Sequence, residues 1–341
     1  MSLTEQRYAE VHPIAAPLPP VKPPDRPVAV PMPAKPRDLR VAALSRFAVS
    51  ITVLTVLGHA FLGFEQAPLT PAVCLLASYL SALLFEAVDS WAWRRQPEFA
   101  GGPRTLLVFL LPPHITALAC AMLLYGNADF SPYVFAVVVG NGSKYLFRLR
   151  IKGRLRHVLN PSNTGIATTL VVFHWVGIAP PYQFTNNYHQ AVPWLLPLGI
   201  LMLGTMLNSK LTGKLPLILA WVAGFAGQAV IRSIFHGDSL IAALLPMTGV
   251  AFILFTNYMI TDPGSTPTAR RGQVAFGLTA AAVYGALVWN GIVFGLFFAL
   301  VISCLLRAIG LLLLPLARAI CARVLPPPLR PVRPVPVAIR S

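Results

Sequence analysis

Charge is scarce in this 341-residue chain. Asp, Glu, Lys and Arg together make up 11% of it, where a soluble domain carries roughly 25%. Acids number only 11. A soluble globule of this size has no way to cover its surface with so few charges. Cysteine is sparse too: Cys74, Cys120, Cys304 and Cys321 form no CxxC pair, and the first three sit in apolar runs. That excludes a zinc ribbon and a disulfide framework, and leaves them as small apolar residues. Nucleophilic triads, Walker loops and GxGxxG motifs are missing as well, which removes the common hydrolase and nucleotide-binding classes. What is present is hydrocarbon: 56% hydrophobic residues and a mean hydropathy of +0.67. The composition predicts an all-α, polytopic membrane protein.

Proline marks the two ends. Ten prolines lie between Pro13 and Pro36, and six more between Pro326 and Pro336, out of 33 in the chain. Such density favours extended chain and prevents helix. Residues 1–40 and 319–341 therefore read as solvated cytoplasmic tails, the second of them basic, flanking a transmembrane domain over 41–318. The first apolar run opens only after the long polar segment, and reads as a retained helix rather than a signal peptide.

Between the tails lie ten apolar segments, each near the ~20 residues that cross a bilayer. They run over 43–64, 68–88, 105–125, 131–147, 161–180, 191–209, 215–235, 239–260, 273–289 and 291–312. The net charge of +16 suggests nucleic acid until the charges are located. Of 27 Lys and Arg residues, 25 fall in the tails and in the loops after segments two, four, six and eight. Basic residues collect on the cytoplasmic side of membrane proteins, so this alternation predicts ten spans in the plasma (inner) membrane with both termini cytoplasmic. It accounts for the basic balance through the lipid bilayer, with no nucleic acid. Leu106–Pro112 in segment three and Leu240–Pro246 in segment eight both end in Leu-Leu-Pro, a pattern expected to interrupt a helix. They are third in each group of five, which suggests a 5+5 inverted repeat.

Two polar clusters abut helices on the cytoplasmic side. The first is Asn160-Pro161-Ser162-Asn163-Thr164-Gly165, behind the basic Lys144–Arg156 loop. Asn160 suits a helix N-cap and Pro161 a first helical turn; the positive helix end beside that loop favours an anion. The second is Thr261-Asp262-Pro263-Gly264-Ser265-Thr266-Pro267, followed by Arg270 and Arg271. A capped helix and an Asp-Pro-Gly turn explain the two without a ligand. The second run is nevertheless more polar than its turn needs. The two are expected to converge near the cytoplasmic surface, because unsatisfied polar groups are costly in hydrocarbon.

Taken together, Asn-Pro at the start of one span and Thr-Asp-Pro…Arg-Gly…Phe-Gly (Thr261, Asp262, Pro263, Arg271, Gly272, Phe276, Gly277) at the end of another resemble the RnfD/NqrB-type membrane proteins. RnfD belongs to the Rnf-type ion-translocating oxidoreductase, and NqrB to the sodium-pumping NADH:quinone oxidoreductase. The chain is most similar to the RnfD-like membrane proteins of enediyne biosynthesis gene clusters, which share Asn-Pro-Ser-Asn (Asn160–Asn163) and Met-Ile-Thr-Asp-Pro…Thr-Pro (Met259–Pro263, Thr266, Pro267). The resemblance covers roughly residues 45–315. It implies a ten-helix, flavin-carrying membrane protein that passes electrons while ions move or serves a biosynthetic redox step. It also implies redox or biosynthetic partner subunits, and a cofactor site at Asn160, Pro161, Ser162, Asn163, Thr164, Gly165, Thr261, Asp262, Pro263, Thr266 and Arg271. The family attaches FMN through the threonine of a Ser-x-Ala-Thr motif. This chain has none, and its loop Gly177–Tyr188 offers only Thr185. Covalent FMN is therefore not expected; a non-covalent FMN or riboflavin is. A small-molecule transporter or a membrane scaffold that kept the fold without redox activity is the alternative. Among ionisable residues within the apolar segments, Glu86 has the best functional claim, with Asp89, His59, His114 and His174 as further leads.

Overall fold

The computed structural model describes residues 39–151, 153–180 and 192–324; of the tails expected at 1–40 and 319–341, residues 1–38 and 325–341 lie outside the described residues, as does Thr185. The described chain is mostly helical. Its α-helices are α1 (Leu39–Leu57), α2 (Thr70–Ala92), α3 (Pro103–Leu123), α4 (Ser131–Leu146), α5 (Pro161–Val172), α6 (Val192–Leu207), α7 (Leu215–Phe235), α8 (Leu240–Leu244), α9 (Val250–Leu254), α10 (Arg270–Trp289) and α11 (Gly295–Val324). The last runs past residue 318, beyond the expected end of the transmembrane domain. Two small antiparallel ribbons complete the fold: β1 (Leu124–Tyr125) with β4 (Gly177–Ile178), and β2 (Arg148–Ile151) with β3 (Arg154–His157). Proline sits at the first or second position of α2, α3, α4, α5 and α7, where its missing N–H costs nothing and its fixed φ suits a helix start.

The helices are built inside out relative to a soluble protein. On α2 the exposed large apolar residues include Leu76, Leu80, Leu84 and Val88, one stripe at i+4 spacing, while Cys74, Ser78, Ser81, Ala82 and Glu86 are buried. An outer face of leucine over an inner face of serine has hydrocarbon as its solvent. Asn141 of α4 sits in that inner seam and donates to Ser78 O (3.0 Å), Ser78 Oγ (2.9 Å) and Ser81 Oγ (3.0 Å).

Among the described residues, six stretches are long and apolar enough to cross a membrane: Arg40–Leu62, Thr70–Ala92, Pro103–Leu123, Leu215–Phe235, Arg270–Trp289 and Gly295–Leu314. A seventh is the pair Leu240–Thr248 and Val250–Met259, bent by 65°. The count falls short of ten because the fourth, fifth and sixth expected spans form shorter helices, of 16, 12 and 16 residues. At 1.5 Å per residue a 12-residue helix covers only ~18 Å. The apolar run 161–180 is helix only to Val172; it then turns, and Gly177–Ile178 pairs with Leu124–Tyr125.

The two Leu-Leu-Pro segments behave differently. α3 continues through Pro112 and Pro113, with Ser78 Oγ donating to Pro113 O at 2.8 Å. The expected interruption there is thus not found. The second segment does break: a 3₁₀ turn over Leu245–Thr248 leads to Gly249, extended at ψ 142°.

Both groups of helices repeat one pairing scheme. α2 packs on α3 and α4, α4 on α5, and α1 on α3. Likewise α7 packs on α8 and α10, α10 on α11, and α6 on α9. A backbone device recurs with it. α1 runs into a π-helical turn (Gly58–Leu62), and Gly63 at φ 69° ends it, with Phe64 N donating to Gly58 O at 3.0 Å. α6 runs into a π-helical turn (Asn208–Thr212) followed by Gly213 at φ 63°, with Lys214 N donating to Asn208 O at 3.0 Å.

Candidate functional site

The two polar clusters, about a hundred residues apart in sequence, interlock. Asn160 caps α5: its Oδ1 accepts from Asn163 N (3.0 Å) and Ser162 Oγ (2.9 Å), and Thr164 Oγ1 donates to Asn160 O at 2.7 Å. Its other side-chain atom leaves the helix, Nδ2 donating to Met259 O at 2.9 Å. The same carbonyl accepts from Asp262 N at 3.3 Å. One turn into α5, Asn163 Nδ2 reaches Phe297 O of α11 at 2.9 Å. Asn163 Oδ1 is buried with no partner among the described residues.

The second cluster is organised by Asp262. Its Oδ2 accepts from Ser265 Oγ (2.7 Å), Ser265 N (3.0 Å) and His157 Nε2 (3.2 Å), and Oδ1 from Gly264 N (3.3 Å). Burial alone raises the carboxyl pKa. The His157 bond and charge and the two Ser265 donors outweigh it and hold the group well below the usual carboxylate range. A Cβ on Gly264 would fall on the His157 ring, so the bare backbone there lets the β2–β3 hairpin close on the loop. Thr266 Oγ1 donates to Asp262 O and accepts from Lys214 Nζ at 2.7 Å. Lys214 also donates to Pro267 O at 2.7 Å. It lies at the start of α7 with 2% of its surface exposed. Burial lowers its pKa to about 8, with Arg307 and Arg156 pushing the same way against Asp262. From α11, Arg307 Nη1 donates to Ser265 O at 2.8 Å, and the Cys304 sulfur lies against the Asn160 amide and the Ser265 side chain.

The structure thus brings Asn160, Ser162, Asn163, Thr164, Thr261, Asp262 and Thr266 together. Thr261, buried, donates to Asn257 O at 2.7 Å. Pro161 and Gly165 serve helix packing. A Cβ on Gly140 would meet Pro161 O at 2.7 Å, and one on Gly165 would overlap the Ala136 carbonyl, so α4 and α5 touch backbone to backbone. Pro263 is exposed on the loop, and Arg271 is exposed on α10 with no hydrogen bond to the cluster among the described residues.

His157, Lys214, Cys304 and Arg307 belong to this assembly, and little in the order of residues points to them. The one signal is a basic residue, Arg307, interrupting the last apolar run. Glu86 is engaged elsewhere. Its carboxylate takes Arg95 (2.5 and 3.1 Å), Glu98 N (2.8 Å) and Tyr145 OH (3.2 Å), while Asp89 bridges Arg95 (2.5 Å) and Arg148 (3.2 Å). This network fastens α2 to the β2–β3 hairpin. His114 joins α1 to α2, bonded to Thr52 and Tyr79 at 2.7 Å each. His59 bonds to Thr55 O at 2.9 Å within its own helix. His174 lies beyond the end of α5. Among the described residues, no group of three or more His, Cys, Asp or Glu side chains is placed to hold a metal ion.

A cavity of about 30 Å³ lies beside the cluster, between Ile51, Leu54, Ala119, Met122, Leu254 and Met259. It is almost wholly apolar and has room for about one water molecule. A flavin ring does not fit inside it.

No protein-family model matches the chain, and no curated protein matches it.

Proposed function

We propose that this chain is a ten-span inner-membrane protein of RnfD/NqrB type, built as a 5+5 inverted repeat, whose cytoplasmic-face cluster binds a flavin non-covalently and passes electrons between partner subunits. The observation that carries this reading is the interlock of the two motifs through Asn160, Met259 and Asp262. Two independent helix caps would have no need to meet. The recurring pairing scheme, and the π turn closed by a left-handed glycine in both groups of helices, support the repeat.

The donor set suits a flavin. Lys214 and Arg307 supply positive charge near the electron-accepting ring. When bound, a flavin supplies one- or two-electron transfer; the chain's residues bind it, orient it and shield it from water. The chain holds no recognised nucleotide-binding motif, so electrons must arrive from a partner.

The test is the visible spectrum of the purified protein. Absorbance near 450 nm that persists through purification and is lost on denaturation supports the reading; a colourless, active preparation refutes it. A denaturing gel under ultraviolet light should show no fluorescent band at this mass. A band abolished by Thr185→Ala would mean covalent attachment. The transporter alternative draws support from the 65° break between Leu240–Thr248 and Val250–Met259, since discontinuous helices often line substrate sites. A colourless protein that moves a solute across vesicle membranes would favour it.

A further inference from the structure

We propose that the cytoplasmic-face cluster holds an oxyanion site for a phosphate group, formed by Lys144, Arg156, Lys214 and Arg307 around the Asp262–Pro267 loop. The inference rests on the proposed cytoplasmic-face site and adds the chemistry of its ligand.

The first warrant is charge balance. Lys214 bonds Thr266 and Pro267, Arg307 bonds Ser265, and His157, the neighbour of Arg156, bonds Asp262, all on one loop; Lys144 lies within electrostatic reach of Asp262, and Arg156 within reach of Lys214 and Arg307. Two acids oppose these four cations, Asp262 and the exposed Glu98. Glu86 and Asp89 are already taken by Arg95 and Arg148. His157 adds a fifth nitrogen base, and Arg40 pushes on Lys144 from α1. Like charges gathered at the edge of a low-dielectric bundle repel strongly unless an anion sits among them.

The second warrant is hydrogen bonding. The Asp262 carboxylate already accepts from His157, from Gly264 N, and twice from Ser265. It has little capacity left for a guanidinium fork. Lys144 and Arg156, each half-buried, make no side-chain hydrogen bond among the described residues. Lys214 spends two of its three N–H donors on Thr266 and Pro267, and Arg307 has one bond, to Ser265 O. The site therefore holds surplus charge together with surplus donors.

A phosphate group answers both. It offers three acceptor oxygens and a charge of about −1.5 to −2, and it matches an arginine fork flanked by lysine point charges. A carboxylate, with one charge and two oxygens, leaves donors over. The phosphate of FMN, a free phosphate and a phospholipid headgroup share this chemistry.

The experiment uses the full-length protein in neutral detergent and phosphate-free buffer. Its thermal midpoint is titrated with inorganic phosphate against chloride at equal ionic strength. It is then compared in nanodiscs of phosphatidylcholine with and without phosphatidylglycerol, and binding of FMN is compared with that of riboflavin. The expected result is a saturable, phosphate-specific rise in midpoint, with the apparent affinity at least tenfold weaker in both Arg156→Gln and Lys144→Gln. A rise with phosphatidylglycerol alone assigns the site to a lipid headgroup; FMN binding at least tenfold tighter than riboflavin assigns it to the flavin's own phosphate. No rise with either phosphate source, or a rise left unchanged by both substitutions, overturns the site. Equal binding of FMN and riboflavin without a phosphate response overturns it too while leaving the flavin reading standing. A phosphate response with neither flavin bound does the reverse.

Discussion

Replacing Asn160 tests the interlock directly, because its two side-chain atoms have different partners. Oδ1 caps α5 through Asn163 N and Ser162 Oγ, while Nδ2 crosses to Met259 O. Asn160→Ser keeps an N-capping oxygen and removes only the crossing bond. Met259 O retains its longer bond from Asp262 N, so the carbonyl is weakened rather than orphaned, and the loss is about 1 kcal/mol. Asn160→Ala removes the cap as well, worth about 1 kcal/mol more, for about 2 kcal/mol in total. Each kcal/mol shifts the midpoint of a 341-residue chain by about 1–2 °C. Alanine should therefore lower the thermal midpoint by about 3 °C, and serine by roughly half as much. The assay is a thermal scan of detergent-purified protein at one scan rate, for wild type, Asn160→Ser, Asn160→Ala, Asp262→Asn and the double mutant Asn160→Ala/Asp262→Asn. The double mutant should be non-additive by at least ~0.5 kcal/mol, because Asn160 Nδ2 holds Met259 and the Asp262 carboxylate holds Ser265 on one short loop. A serine variant indistinguishable from wild type, together with strict additivity, would falsify the claim that the clusters act as one unit.

Three further outcomes are expected. Reporter fusions after Gly126 and Tyr188 should be external and those after Lys152 and Ala269 cytoplasmic; two inverted results among the four would sink the ten-span arrangement. Gly165→Ala should cost about 1–3 kcal/mol by forcing α5 away from the Ala136 carbonyl, whereas alanine at the unobstructed Gly227 of α7 should be neutral or stabilising by up to about 1 kcal/mol; equal melting of the two variants would contradict the α4–α5 contact. Because the Asp262 pKa is held down, its contribution to stability is present above about pH 4 and is lost as the pH falls below it. The Lys214 pKa is lowered to about 8, so the unfolded chain binds more protons between about pH 8 and the ordinary lysine value, and stability should rise with pH across that window. Asp262→Asn should flatten the acid limb and Lys214→Met the alkaline one, read from thermal midpoints across pH; limbs that persist in these variants would assign the titrations to other groups.

Much of the membrane character is legible in the sequence, because apolar length and basic loops are properties of the chain itself. Helix lengths are less so. Residues 161–180 read as one apolar segment, yet helix ends at Val172 and the remainder turns to pair with β1. Hydropathy records that a segment avoids water, and does not record whether its hydrogen bonds run along a helix or across a ribbon. Leu-Leu-Pro makes the same point. Beside α2 the segment stays helical through two prolines, with the Ser78 hydroxyl on the Pro113 carbonyl; after Pro246 the chain breaks where Gly249 turns extended. The outcome lies in the neighbouring helix and the following glycine. The candidate site is legible in its backbone-capping residues, Asn160 and Asp262, whose chemistry is local. Lys214 and Arg307 are not, since only the packing of α7 and α11 carries them to a loop some 50 and 40 residues away.

The recurring π turn bears on how such a site would arise on one side of the proposed repeat. Gly63 and Gly213 occupy the same left-handed conformation, and the residue after each closes the same long backbone hydrogen bond. That closing residue differs in kind. At the first turn it is Phe64, whose ring covers Gly58 and leaves no space for a Cβ. At the second it is Lys214, which reaches into the Asp262–Pro267 loop, while Asn208 donates to Asn257 O at 2.7 Å. In the proposed inverted arrangement these turns face opposite sides of the membrane, with Phe64 external and Lys214 cytoplasmic. The backbone device is indifferent to side, because it satisfies its own donors. The lysine is not, because basic residues are retained on the cytoplasmic face. In the proposed repeat, that bias would leave one turn closed by an aromatic ring and the other by a lysine, and it is at the lysine's turn that the two polar motifs meet.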